Sequence, residues 1–220
     1  MKQKIMSAQE ALAPVKPGAS IMIGGFLQSG SPDCLIRALV RHGADGLCII
    51  SSDSGNERTA GPELMGSGLV KKVINSYIGC NPVTVRMIME GRIESDVYPM
   101  GTFVEKIRAG GCGLGAVITD VGLGTLYAEG KPTIELEGKT YLIEMPLKAD
   151  VAIIHGAVAD ERGNLALRGT AHNYTLWMAM AADYVVAEAD EIVSVGVLDP
   201  ETVDVPGILV DALVKAGDAA

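Results

Sequence analysis

Aromatic residues are scarce. Two Phe, six Tyr and one Trp make up only 4% of a 220-residue chain that is 48% hydrophobic. The core must therefore be built from Val, Ile, Leu, Ala and Met, which suits parallel strands covered by Ala-rich helices. Basic residues are also in deficit. Eighteen Lys and Arg face 27 Asp and Glu, a net charge of −9, which argues against nucleic-acid binding, where Lys and Arg displace counterions from phosphates. An anionic small ligand stays open, because backbone N–H groups can bind one. Paired cysteines are missing: Cys34, Cys48, Cys80 and Cys112 show no C-x-x-C spacing, so isolated reduced thiols are expected rather than a disulfide framework or a zinc site. His42, His155 and His172 have no ligand spacing either, and no metal site is expected. No apolar run approaches the ~20 residues of a membrane helix, and the N-terminus has no signal-peptide core. A cytoplasmic protein without a membrane partner is expected, with residues 1–220 forming one domain.

Glycine, by contrast, is abundant at 27 residues and clustered, which points to tight loops. Ser7-Ala8-Gln9-Glu10 reads as a capping box opening a helix that Pro17-Gly18 ends. Ser20 to Ile23 reads as a buried strand running into Gly24-Gly25. Ser31-Pro32 predicts a helix start with Pro at the first helical position, and Gly43 its end. Leu47–Ile50 and Val73–Ile78 read as strands, Asn81-Pro82 opens a helix through Met89, and Val97–Pro99 reads as a short strand. Thr102 to Glu105 predicts a second capping box, followed by a loop carrying Gly110, Gly111, Gly113, Gly115, Gly122 and Gly124. Thr133–Leu136 and Thr140–Met145, joined at Glu137-Gly138, predict a hairpin. Val151–His155 and Tyr184–Ala187 read as strands around a Tyr174–Ala182 helix. The expected fold is α/β and three-layer, with a mostly parallel sheet, helices on both faces and one antiparallel hairpin.

The strand–loop–helix unit from Ser20 to Gly43 carries the clearest chemistry. Adjacent glycines at a strand's C-terminal end permit unusual backbone and close approach of a ligand. The helix that follows points free N–H groups at the same crevice. Gly24-Gly25-x4-Gly30 fits neither G-x-G-x-x-G nor a P-loop. Asp53 reads as a turn residue rather than a ribose-binding acid. For the Gly110–Gly124 stretch, a functional loop and a strained structural one both remain open. Glu105, Glu144, Asp150 and Asp160 form no carboxylate pair or Ser–His–Asp set, and Arg108 suits a helix C-terminal end. The residues describe a ligand-binding α/β protein without an evident catalytic group.

Pro17 to Pro32, with the apolar triplet Ile21-Met22-Ile23 leading into Gly24-Gly25-Phe26 and on to Gly30, resembles the α-subunit signature of family I CoA transferases. Three further blocks agree. Gly101-Thr102 leads through Glu105 to Arg108-Ala109-Gly110-Gly111, then Gly113, Gly115, Thr119, Gly122 and Gly124-Thr125. Pro146-Leu147-Lys148-Ala149-Asp150 and Asp160-Glu161-Arg162-Gly163-Asn164 are similar to the family's Pro-Leu-x-Ala-Asp and Asp-x-x-Gly-Asn blocks. The resemblance implies ping-pong transfer of CoA between short-chain acyl-CoA (acetyl or butyryl) and acetoacetate or a related acid. It implies a glutamate nucleophile on a separate β subunit, no catalytic residue in this chain, a CoA thioester as substrate and no cofactor. It also assigns Gly24, Gly25, Phe26, Leu27, Gln28, Ser29 and Gly30 to CoA. Pro17 replaces the usual Asp/Asn, Met100 the usual Gln, and His172-Asn173-Tyr174-Thr175-Leu176 the usual Asn-Phe-Asn-Pro. The alternatives are a non-catalytic acyl-CoA-binding subunit and a Rossmann-type NAD-dependent oxidoreductase, the latter opposed by the glycine spacing.

Overall fold

The computed structural model describes residues 3–217. In chain order the elements are α1 (Ala8–Leu12), β1 (Ser20–Ile23), α2 (Asp33–His42), β2 (Leu47–Ile50), α3 (Gly61–Gly66), β3 (Val70–Asn75), α4 (Pro82–Met89), β4 (Glu94–Val97) and α5 (Met100–Cys112), then β5 (Val117–Thr119), β6 (Thr133–Leu136), β7 (Lys139–Glu144), β8 (Ala149–Asp160), β9 (Leu165–Ala166), α6 (Thr175–Met180), β10 (Ala182–Val193) and β11 (Ala212–Lys215). The main sheet runs β11-β10-β8-β1-β2-β3-β4, with every neighbouring pair parallel, and β9 adds antiparallel to β8. β5, β7 and β6 form a separate antiparallel sheet.

Successive strand residues point to opposite faces, and the apolar runs therefore feed two cores. Ile21, Ile23, Ile49, Val73, Val151, Ile153 and Val186 pack under α1 to α4, where Leu12, Leu35, Leu39 and Leu64 meet them. Met22, Ile50, Ile74, Ala152, Ile154, Val185 and Ala187 face Phe103, Ile107, Met178 and Ala179 of α5 and α6. Fully burying each large aliphatic side chain is worth roughly 1.5–3 kcal/mol, and both faces draw on it. The three-layer architecture matches the reading of the sequence.

Local signals were accurate where their partners are local. Ser7 accepts from Glu10 N while Glu10 reaches back, a complete capping box. Asn81 caps α4 with Pro82 at its first position, Gly43 ends α2 in the left-handed conformation, and Glu137-Gly138, both at positive φ, turn the hairpin. Other expectations are corrected. α2 begins at Asp33, with Pro32 at its N-cap. α5 begins at Met100, so Thr102 lies inside the helix and Glu105 pairs with Arg108 at 2.7 Å instead of closing a box. Gly110 and Gly111 belong to α5, not to a loop. A Cβ at Gly110 would lie 2.0 Å from Leu147 O, and one at Gly111 2.7 Å from Met180 Cβ. These two glycines serve close helix packing. β3 starts and ends earlier than expected, β8 and β10 run longer, and Asp150 and Asp160 lie within β8.

Candidate functional site

β1 ends at Ile23, and Gly24 N still donates to Ile153 O of β8 at 2.9 Å. The chain then leaves the sheet at the C-terminal ends of the parallel strands, where open α/β sheets place their ligands. Phe26 and Ser29 exchange two backbone hydrogen bonds of 3.0 Å, which makes Leu27-Gln28 the tip of a tight turn. Three residues sit in left-handed backbone: Gly25 at φ +99°, Leu27 at +52° and Gly30 at +71°. A Cβ on Gly25 would lie 2.7 Å from the Gly30 carbonyl oxygen, and one on Gly30 2.6 Å from Ala171 Cβ. Both glycines are needed for the loop to close on itself and on the segment around Ala171. Gly24 has no such constraint; a Cβ there would meet Ile154 Cγ2 at 3.4 Å.

Polar side chains pin the loop from below. Asp53 accepts from Leu27 N at 3.1 Å, Ser52 Oγ at 2.7 Å and Gly55 N at 2.8 Å. Tyr174 OH donates to the Gly25 carbonyl at 2.7 Å, and burial pushes its phenol pKa upward. Asn56 Nδ2 donates to Gln28 Oε1 at 2.8 Å. Asp53 is thus a turn-organising residue, as read from the sequence, though its reach to Leu27 is long-range. Gly24 and Gly25 are buried, while Phe26 is 39% exposed and Gln28 faces solvent. Among the described residues the N–H groups of Gln28 and Gly30 have no hydrogen-bond partner, which leaves two donors in the loop uncommitted.

One side of the loop closes on a water-sized cavity of about 30 Å³ between Gly25, Ser31, Asp53 and Thr59. The other side opens onto a cleft of about 520 Å³ bounded by Gln28, Ser29, Gly30, His155, Arg168 and Glu188, large enough for a substrate arm. Glu188 is 3% exposed, and burial pushes its carboxyl pKa up. His155 Nε2 lies 3.0 Å from Asp190 Oδ1 at the cleft's edge. Sequence reasoning missed Glu188, whose partner Leu35 is 153 positions away.

Glu144, Asp150 and Asp160 are committed elsewhere. Glu144 is 3% exposed and receives Lys106 Nζ at 2.8 Å, Lys131 Nζ at 2.5 Å and Tyr127 OH at 2.5 Å. Burial alone would raise its pKa, but these three donors outweigh it and hold the carboxyl below the usual range. This cluster latches the small sheet and the 120–131 segment to α5. Asp150 accepts from Ser20 N and Oγ, and Asp160 orders the turn at Arg162 and Asn164. Met100 is half-buried against the core under α5 and α6. All four cysteines are free thiols, and among the described residues no cluster of three His, Cys, Asp or Glu could hold a metal. No helix among those residues is long and apolar enough to cross a membrane.

The family model described as coenzyme A transferase matches residues 5–216. The chain belongs to the coenzyme A transferase family. Within it, this transferase chain is 45% identical over 215 residues to the acetoacetyl-CoA:acetate/butyrate CoA transferase alpha subunit of Clostridium acetobutylicum, covering 98% of this chain and 99% of the relative. It is 41% identical over 219 residues to the acetate CoA-transferase subunit alpha of Escherichia coli K12, covering 100% of both. Its fold superposes on the acyl-CoA transferase of Escherichia coli O157:H7, solved as a thioester complex with CoA, with a TM-score of 0.87 at 24% identity. That match covers 97% of this transferase chain and 47% of the solved one, so the chain spans about half the length of that structural relative.

Proposed function

We propose that this chain is the α subunit of a short-chain CoA transferase. With a β subunit it moves CoA between acetyl- or butyryl-CoA and acetoacetate or a related acid. End-to-end similarity to two α subunits named for that chemistry carries the reading, and the organisation of the Gly24–Gly30 loop agrees with it. Every carboxylate near the loop already has a structural role, Asp53 with three donors and Glu188 with the Leu35 N–H. That fits a nucleophilic glutamate supplied by the partner.

In this reading the partner's glutamate attacks the thioester carbonyl. The C–S bond breaks, CoA leaves as thiolate, and an acyl-glutamyl anhydride forms. The thiolate then attacks the glutamyl carbonyl, releasing the first acid as its carboxylate and leaving a glutamyl-CoA thioester. The second acid runs the same steps in reverse. Each step exchanges one anion for another, so no cofactor has to take up electrons, and the thioester itself carries the activation. Of the seven loop residues, Gln28, Ser29 and Gly30 line the open cleft in which, on this reading, the thioester is held, with Phe26 and Leu27 beside them. Gly24 and Gly25 shape the turn beneath them. On this reading the unpaired Gln28 and Gly30 N–H groups supply donors for negative charge developing on oxygen or sulfur. A CoA-transferring enzyme of central metabolites is expected in the cytoplasm.

Steady-state exchange tests the reading. The chain alone should show no transfer, and the co-purified αβ complex should transfer CoA from butyryl-CoA to acetoacetate. Turnover by the chain alone contradicts the division of labour. A complex that binds acyl-CoA without turnover would make the chain a binding subunit instead.

A further inference from the structure

The first turn of α2 is held from a distance. Pro32 occupies its N-cap and makes no side-chain hydrogen bond. The Leu35 N–H donates instead to Glu188 Oε2 at 2.9 Å, across 153 positions of chain. Glu188 lies on β10, almost wholly buried, and lines the cleft beside the loop. A Ser or Asp at the helix's own N-cap would satisfy such a donor for about 1 kcal/mol. Burying a carboxyl for the same bond carries a desolvation cost that a local cap avoids. What the long-range bond adds is geometric: it ties the middle of β10 to the helix that the glycine loop enters. A second carboxylate works alongside. Asp33 Oδ1 accepts from Ser31 Oγ and from Ala60 N, both at 2.8 Å, fixing the same junction to α3.

We propose that Glu188 is a positioning residue for the Gly24–Gly30 loop: by holding the start of α2 it sets where the loop tip points its N–H groups. The inference rests on the reading of that loop as the thioester-binding element. The loop has little slack to absorb movement of α2. Gly30 abuts Ala171 so closely that no Cβ fits, and Tyr174 fixes the Gly25 carbonyl. Only Ser31 and Pro32 separate Gly30 from α2, so displacement of the helix start strains the close Gly30–Ala171 contact and, through Gly30, the Phe26–Ser29 turn. Misplacement of a binding group by ~1 Å can cost up to ~100-fold in rate.

The test compares Glu188→Ala with Glu188→Gln in the αβ complex. The Gln side-chain oxygen can still accept from Leu35 N; Ala cannot. E188A is expected to lower kcat/KM for acyl-CoA by roughly tenfold or more. It should also speed amide exchange of the peptide covering residues 24–36 over the rest of the sheet. E188Q should restore both to within about threefold of the parent. If E188A does not fold, Glu188→Asp, one methylene shorter, replaces it and should show the same selective loss. A fall in thermal stability with unchanged kcat/KM per folded complex would overturn the proposal, as would E188Q being as impaired as E188A while its Leu35 amide stays protected. The exchange measurement does not depend on transfer. A parent complex with no transferase activity but with the predicted exchange pattern would sink the functional reading and leave the positioning role standing.

Discussion

Gly24 and Gly25 are adjacent in sequence, yet alanine should affect them very differently. Gly25 has φ +99°, a region that L-residues occupy at a cost of about 1–3 kcal/mol. Its Cβ would also lie 2.7 Å from Gly30 O and 2.9 Å from Gly30 C, both backbone atoms. Relief requires opening the Phe26–Ser29 turn and the contact at Ala171. Conformational cost and overlap together place Gly25→Ala at about 3 kcal/mol, within the range of severe backbone substitutions. For a domain of this size that corresponds to a fall in Tm of roughly 6–12 °C. Gly24 has no positive φ, and its Cβ would make an ordinary contact with Ile154. Gly24→Ala should cost under about 1 kcal/mol. Thermal melts of the two variants provide the comparison, with butyryl-CoA kinetics of the αβ complex as a second readout. Equal Tm losses, or a silent Gly25→Ala, would refute the argument that this glycine exists for loop closure.

Tyr174→Phe removes the donor to the Gly25 carbonyl, leaving Ser52 Oγ at 3.4 Å as its remaining contact. Chemical denaturation should show a loss of about 1–2 kcal/mol, and no loss would mean that the hydroxyl does not hold the loop. Glu144→Ala leaves the Lys106 and Lys131 ammonium groups without their shared carboxylate, and breaking a buried pair typically costs ~3–5 kcal/mol. Because the folded-state pKa of Glu144 is lowered, its contribution is present above the unfolded carboxylate pKa and is lost as pH falls through the folded one. The stability difference between parent and Glu144→Ala should therefore narrow on acidification below the ordinary carboxylate range. A difference independent of pH there would contradict the ionised latch.

What the sequence made legible follows from the range of each interaction. Ser7 and Glu10, Asn81 and Pro82, and Glu137 with Gly138 complete their structures within a few residues, and all were readable. The continuous apolar run Ile21-Met22-Ile23 announced a buried strand, and its side chains feed both cores. Thr102 and Glu105 had the spacing of a capping box, but Pro99 and Met100 start the helix earlier and Arg108 takes the glutamate. Gly110 and Gly111 looked like loop residues because the backbones they accommodate, at Leu147 and Met180, lie far along the chain. The same holds for the site. Its glycine floor was visible, whereas the Asp53, Tyr174 and Glu188 contacts that shape it join residues 26, 149 and 153 positions apart. No local pattern encodes such pairs.

On the proposed function, this chain presents the thioester while another polypeptide attacks it. Borohydride treatment of the αβ complex after loading with acyl-CoA, followed by mass spectrometry of both chains, locates the attacked carboxyl. A reduced glutamyl side chain is expected on the β subunit, with the α chain unmodified. A reduced Asp or Glu on this chain would put the nucleophile here and end the division of labour.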